Sequence, residues 1–84
     1  MYYVYIIKSL VDKSLYIGYT DDLKRHIGEH NNKENISTKS KTPWELVYYE
    51  AYKSKSDAKY RESNLKRFAK DYAQLKKRIM NSLK

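Results

Sequence analysis

The apolar residues of this chain change period along its length, and the changes divide it into elements. Residues 2–7 read Tyr-Tyr-Val-Tyr-Ile-Ile, β-branched and aromatic with no helical repeat, and predict a strand. Residues 14–19 predict a second strand. Asp12-Lys13 supplies turn chemistry between them, so the pair forms a hairpin. The period then lengthens. Leu23, Ile27 and His30 lie on one helical stripe, and His26 borders it one turn before His30. Thr20 or Asp21 is expected to cap this helix, with Asp21 and Asp22 at its positive end and Asn31-Asn32 at its stop. Residues 33–43 are polar, end at Pro43 and predict a mobile loop. Leu46 to Tyr52 predicts a third strand, with Trp44 just before it. Ser56 is expected to cap a second helix that runs to about Arg67. Its inner face carries Ala58, Leu65 and Ala69, with Glu62 between them. A third helix is expected over most of 70–83, with Tyr72, Leu75, Ile79 and Leu83 as its stripe. No internal repeat or linker interrupts this order.

Composition narrows the picture. Eighty-four residues make one small domain with a modest core. The chain has no cysteine, so stability rests on apolar burial, much of it from ten tyrosines and one tryptophan. The absence of cysteine fits a reducing cytoplasm. No apolar stretch approaches the ~20 residues that span a bilayer. No basic segment precedes a long apolar one, so neither a signal peptide nor a membrane partner is expected. The net charge of +8 is unevenly placed. Basic and acidic side chains balance over residues 1–52, and the whole excess lies in 53–84. A basic face of this kind attracts polyanions, most often nucleic acid.

Three features carry candidate chemistry. Tyr5 and Tyr16 are eleven residues apart on the two hairpin strands. If they pair in matching phase, their hydroxyls project together. Glu62 places a carboxylate on the apolar face of a helix, which is costly unless it is paired or binds a metal. A single carboxylate with waters suits Mg²⁺. The run His26-Ile27-Gly28-Glu29-His30 also matches H-x-x-E-H, an inverted zinc-protease signature, in which two histidines one turn apart share a metal.

Taken in order, these residues resemble the GIY-YIG nucleases, in their small single-domain bacterial form. Tyr3-Val4-Tyr5 stands for Gly-Ile-Tyr, and Tyr16-Ile17-Gly18 is the second motif intact. The resemblance continues through Thr20, Asp22-Leu23, Glu29-His30-Asn31, Thr42 to Val47, and Ala58 to Glu62. It covers residues 1–77, leaving 78–84 as the end of the basic C-terminal helix. It implies an α+β fold with a three-stranded antiparallel sheet flanked by helices. It also implies hydrolysis of a DNA phosphodiester with one divalent ion, Mg²⁺ or Mn²⁺, held by Glu62. By the same resemblance, Tyr16 holds or deprotonates the attacking water. Tyr5 positions the water or phosphate, and His30 binds or orients near the phosphate.

One position departs from the pattern. The family's catalytic arginine falls ten residues after the tyrosine of the second motif, and here that residue is His26, with Arg25 one place early. An unperturbed histidine is mostly neutral at pH 7 and offers fewer donors than a guanidinium. Loss of one such charge-stabilising group typically costs about 10²–10³ in rate. Successive helical residues turn by about 100°, so Arg25 points away from the stripe; either its long side chain still reaches the site as a catalytic cation beside His26, or it pairs with Glu29. Two rivals to a nuclease follow: a DNA-binding module that has lost catalysis, and a tyrosine-rich protein-interaction domain. Lys59, Arg61, Lys66, Arg67, Lys70, Lys76, Lys77 and Arg78 are the candidate phosphate contacts. No recognition helix of a known DNA-reading motif is present, so the backbone or structure of DNA is the expected target.

Overall fold

The computed structural model describes all residues from Met1 to Lys84. Three strands, β1 (Tyr2–Ser9), β2 (Leu15–Thr20) and β3 (Trp44–Tyr52), form an antiparallel sheet in the order β2-β1-β3. Three helices accompany it: α1 (Leu23–Asn31), α2 (Lys55–Arg67) and α3 (Ala69–Arg78). This is the α+β architecture that the resemblance implies. No helix is long and apolar enough to cross a membrane.

The sheet separates two apolar clusters. On one face Val4, Ile6 and Ile17 pack against Ala58 and Leu65 of α2 and Leu75 of α3. On the other, Tyr5, Ile7 and Trp44 pack with Tyr16, Leu46 and the Leu23 and Ile27 stripe of α1. Strand alternation explains the split on β1. On β3 it does not. Trp44, Leu46, Tyr48, Glu50 and Tyr52 all fall on even numbers, yet they serve opposite faces. The cause is a bulge: Ile6 pairs with Tyr48 and Ile7 with Leu46, so Val47 is an extra residue. The insertion shifts the phase of the pleat, placing Trp44 and Leu46 beside α1 and the tyrosines beside α2.

The helix ends differ from expectation in ways that local chemistry explains. Asp22 caps α1, accepting from the Arg25 backbone N–H at 3.1 Å. Thr20 is unavailable because its hydroxyl is bonded to the Asp22 backbone. Ser54, not Ser56, is the N-cap of α2, and its side chain makes no capping bond. Phe68 has extended backbone and separates α2 from α3, so Ala69 opens α3 and is exposed rather than buried in the α2 face. α3 ends at Arg78, short of the predicted 83, and the chain continues as turns over 79–83. Asn81 and Ser82 favour such local turns over helix. The Leu83 carbonyl accepts from Lys8 Nζ at 2.6 Å, which ties the C-terminal turn to β1.

The predicted mobile loop is tied down. It contains a 3-10 turn at Lys39–Lys41, and Thr38 is fully buried. Ser9 Oγ donates to the Lys41 carbonyl at 2.7 Å, and Leu10 N–H to the Pro43 carbonyl at 2.9 Å.

A second polar knot sits on the α2 side. Glu50 receives the Tyr48 and Tyr52 hydroxyls and a two-point grip from Arg61, with Nε–Oε1 and Nη2–Oε2 both 3.0 Å. Burial raises the Glu50 pKa, but the bonds from Arg61, Tyr48 and Tyr52 outweigh it and hold the carboxyl below its ordinary range. Burial and the bond to Glu50 push both phenols up to about 12. This knot locks α2 to β3. Removing Arg61 leaves a mostly buried carboxylate without its cation. Arg61→Ala should cost about 2 kcal/mol in urea unfolding, below the usual range for a fully buried pair because both side chains keep some water. The double variant Glu50→Leu/Arg61→Met should cost less than the single one.

Candidate active site

The site begins with a missing side chain. Tyr5 pairs with Gly18, and Ile7 pairs with Tyr16, so the two tyrosines are diagonal neighbours on one face. The hydroxyls therefore project to the same side, although the residues are not directly opposed. The Tyr5 ring lies across Gly18: a Cβ there would stand 2.2 Å from the ring's Cζ. Only glycine leaves that slot open.

The last turn of α1 meets the tyrosines. The Tyr5 hydroxyl is 2.8 Å from His30 Nε2, and His30 Nδ1 is 2.8 Å from Thr38 Oγ1. Thr38 Oγ1 in turn reaches the Asn35 carbonyl at 3.5 Å. One proton arrangement satisfies every group. Thr38 donates to Asn35, His30 Nδ1–H donates to Thr38, and the Tyr5 phenol donates to Nε2. Burial, followed by Tyr16, Glu62 and Glu29, drives the Tyr5 phenol far above its ordinary range, so it remains a donor. Burial and then His26 lower the His30 pKa, and Glu29 offsets part of that shift. His30 is therefore neutral at pH 7 and an acceptor for Tyr5.

The aromatic rings continue the cluster. The Tyr16 ring centroid is 5.3 Å from that of His30 and 6.3 Å from that of Trp44. His26 lies 5.6 Å from Tyr5 and 5.0 Å from His30, edge to face. His26 Nδ1 donates to Glu29 Oε1 at 3.0 Å. A hollow of about 330 Å³ opens beside His26, Glu29 and His30.

Arg25 does not join this cluster. Its side chain is 58% exposed and faces Asp21 at 3.2 Å and Glu29 at 3.8 Å. Glu62 is held by Lys66, with Nζ 3.1 Å from Oε2. That lysine is not remote: its ammonium stands 5.8 Å from the Tyr16 ring centroid. The Glu62 charge also raises the pKa values of Tyr5 and Tyr19, so its field reaches the tyrosines. The structure thus gathers Tyr5, Tyr16, His26 and His30, links Glu62 to them through Lys66, and turns Arg25 outward.

The zinc-protease pattern has no support in this geometry. Both ring nitrogens of His30 are already bonded, and no group of three or more His, Cys, Asp or Glu side chains is placed to hold a metal.

The basic residues divide. Arg61, one of the expected phosphate contacts, is committed to Glu50. Lys59, Lys66, Arg67 and Lys76 are exposed and lie against the rings of Tyr19, Tyr16, Phe68 and Tyr72 respectively. Lys70, Lys77 and Arg78 are exposed on α3.

Some supporting residues carried no chemical signal in the sequence. Thr38 reads as one more polar loop residue. Asn31 reads as a helix stop, yet its side-chain amide binds both backbone groups of Trp44, at 2.6 and 3.0 Å. The Trp44 indole N–H donates to the Thr38 carbonyl at 2.9 Å.

A three-stranded sheet with paired tyrosines on its hairpin, a histidine at the end of the following helix and a carboxylate on the next defines a class of catalytic domain. The chain belongs to the GIY-YIG family: the model of the GIY-YIG catalytic domain matches residues 1–78. A UPF0213 protein of Haloquadratum walsbyi is 39% identical over 74 residues, spanning 87% of this chain and 82% of its own. A UPF0213 protein of Staphylococcus saprophyticus is 41% identical over 70 residues, spanning 82% of this chain and 84% of its own. One from Clostridium perfringens is 39% identical over 72 residues, spanning 84% and 76%. None of these names states an activity. No solved structure matches the chain. Membership implies nuclease-type chemistry on nucleic acid and a divalent ion.

Two predictions follow from the packing and the protonation. Gly18→Ala should cost about 1–3 kcal/mol in denaturant unfolding, because the buried Tyr5 ring has nowhere to retreat. The His30 pKa lies below its unfolded value, so the unfolded chain binds more protons between the two values. Stability is therefore lost as pH falls below about 6.5, and the loss levels off below the folded pKa. Thermal unfolding at pH 7.5 and 5.5 should show a smaller acid-induced drop in His30→Gln than in wild type, although that variant starts lower.

Proposed function

We propose that this domain is a divalent-metal-dependent DNA endonuclease that hydrolyses phosphodiesters at the Tyr5–Tyr16–His30 cluster. The convergence of two phenols and two imidazoles beside a carboxylate one lysine away carries this reading. Tyr16 is the more accessible phenol and holds the attacking water. Tyr5 is buried and protonated, so it positions Tyr16 and the water rather than acting as a base. His30, neutral and fixed by Thr38, keeps the Tyr5 hydroxyl aimed.

The residues present fit the ion the family implies. Glu62 offers a hard oxygen donor, and no closed cage of acids surrounds it. A single carboxylate with the remaining sites left to water and phosphate suits Mg²⁺ or Mn²⁺. When bound, such an ion supplies Lewis-acid stabilisation of the leaving oxygen. The exposed lysines and arginines of α2 and α3 hold the DNA backbone, a role in which sequence matters little.

One observation favours a second reading, a DNA-binding module without catalysis. His26 occupies the arginine position and spends its Nδ1–H on Glu29, while Arg25 faces away. Nicking of duplex, flapped and branched DNA with Mg²⁺ or Mn²⁺ separates the two. For a nuclease, Glu62→Ala and Tyr16→Phe should each lower the rate by about 10²-fold or more. Equal cleavage by both variants and wild type would place the activity elsewhere. A binding module should show no cleavage and DNA affinity that falls steeply with salt. A large gain with His26→Arg would identify a site weakened at that position.

A further inference from the structure

Lys66 lies one turn beyond Glu62 on α2 and touches both parts of the site. Its ammonium is 3.1 Å from Glu62 Oε2 and 5.8 Å from the centre of the Tyr16 ring. The lysine side chain is 48% exposed, whereas that of Glu62 is 22% exposed. The cation can therefore leave the carboxylate without disturbing the core. The arginines on either side are paired, Arg25 with Asp21 and Glu29 and Arg61 with Glu50, and Lys59 lies over the ring of Tyr19, outside the cluster. Lys66 is the permanent cation set against a ring of the catalytic cluster.

We propose that Lys66 is a two-position cation that neutralises Glu62 in the empty site and holds a phosphate oxygen above Tyr16 during cleavage. It thereby supplies the charge missing at position 26. The proposal rests on the nuclease reading for its second half only. Lysine suits the task because its charge sits on a flexible four-carbon stem with three donors. A divalent cation held by Glu62 would repel the ammonium beside it, so Lys66 would then turn toward the nearest anion. With DNA bound, that anion is the phosphate over Tyr16. An arginine anchored on α1 would do this from a fixed position. A lysine on α2 couples the charge to the state of Glu62.

The experiment has a binding arm and a kinetic arm, both on the full chain. In the first, Mn²⁺ alone is titrated calorimetrically into wild type, Lys66→Gln and Glu62→Gln. Lys66→Gln should bind Mn²⁺ about fivefold more tightly, the factor set by losing a competing ion pair near the top of the exposed range. Glu62→Gln should abolish that binding. In the second arm, at saturating Mn²⁺ and DNA, Lys66→Gln should lose about 10²-fold in kcat. Lys66→Arg should recover most of it, and His26→Arg/Lys66→Gln should recover part. Unchanged Mn²⁺ affinity with unchanged kcat would overturn the proposal and leave an ordinary helix-surface pair. A rise in KM alone would also overturn it, because that is the signature of a lysine that only tracks the DNA backbone. If wild type binds Mn²⁺ yet cleaves nothing, the nuclease reading fails and the phosphate-holding half falls with it. The calorimetric arm then decides the Glu62 half by itself.

Discussion

The hydrogen bond between the Tyr5 hydroxyl and His30 holds the two halves of the α1 face together. Tyr5 comes from the central strand, and His30 from the last turn of the helix that covers it. Neither group tolerates burial without a partner, since an orphaned buried donor or acceptor costs about 1–3 kcal/mol. Their union also recruits the loop. His30 needs an acceptor for its other nitrogen and finds Thr38, whose carbonyl then receives the Trp44 indole. Trp44 is in turn held along its backbone by the Asn31 amide, next to His30 on α1. The loop between α1 and β3 is thus closed by side chains at its two ends and its middle. No buried side-chain polar atom is left without a partner.

The two faces use charge differently. On the α2 face, Arg61 is consumed by Glu50 and the result is rigidity. On the exposed surface of α2 and α3, several cations lie over aromatic rings but remain in water. Such contacts are worth about 0.5–1 kcal/mol at exposed sites, enough to orient a side chain and too little to hold it. The basic third of the chain therefore contains one internal cross-brace and a set of loosely placed charges. Net charge alone does not distinguish them.

Much of this was legible in the sequence, and what was missed shares a cause. Strand positions followed from β-branched and aromatic runs, and the core faces of α1 and α2 from Leu23, Ile27, Ala58 and Leu65. The tyrosines, His30 and Glu62 were marked by type and order. Hidden were the features that depend on two distant segments meeting. The bulge at Val47 is invisible in β3 itself, because its even-numbered residues look like one continuous face. Thr38 has no local pattern, and its importance comes from where the loop closes. Arg61 and Lys66 sit on the same helix with similar neighbours in sequence. Only the position of Glu50 across the sheet separates a structural cation from one beside the tyrosines.

The slot above Gly18 also changes what the separation of the tyrosines means. The ring is fixed by its seat on the opposite strand, and that seat depends on register, not on the number of residues between Tyr5 and Tyr16. The hairpin turn that joins the strands is exposed from Leu10 to Lys13, and Lys13 has a positive φ of 67°. Residues can enter that turn beyond Leu10 without moving either hydroxyl, provided the strands keep their pairing and the Leu10 N–H keeps the Pro43 carbonyl. The site therefore depends on strand register more than on the length of its connecting segment, and it is intolerant of a methyl group at one glycine. For a designer grafting a recognition loop onto this domain, the tip of the hairpin is the natural point of attachment.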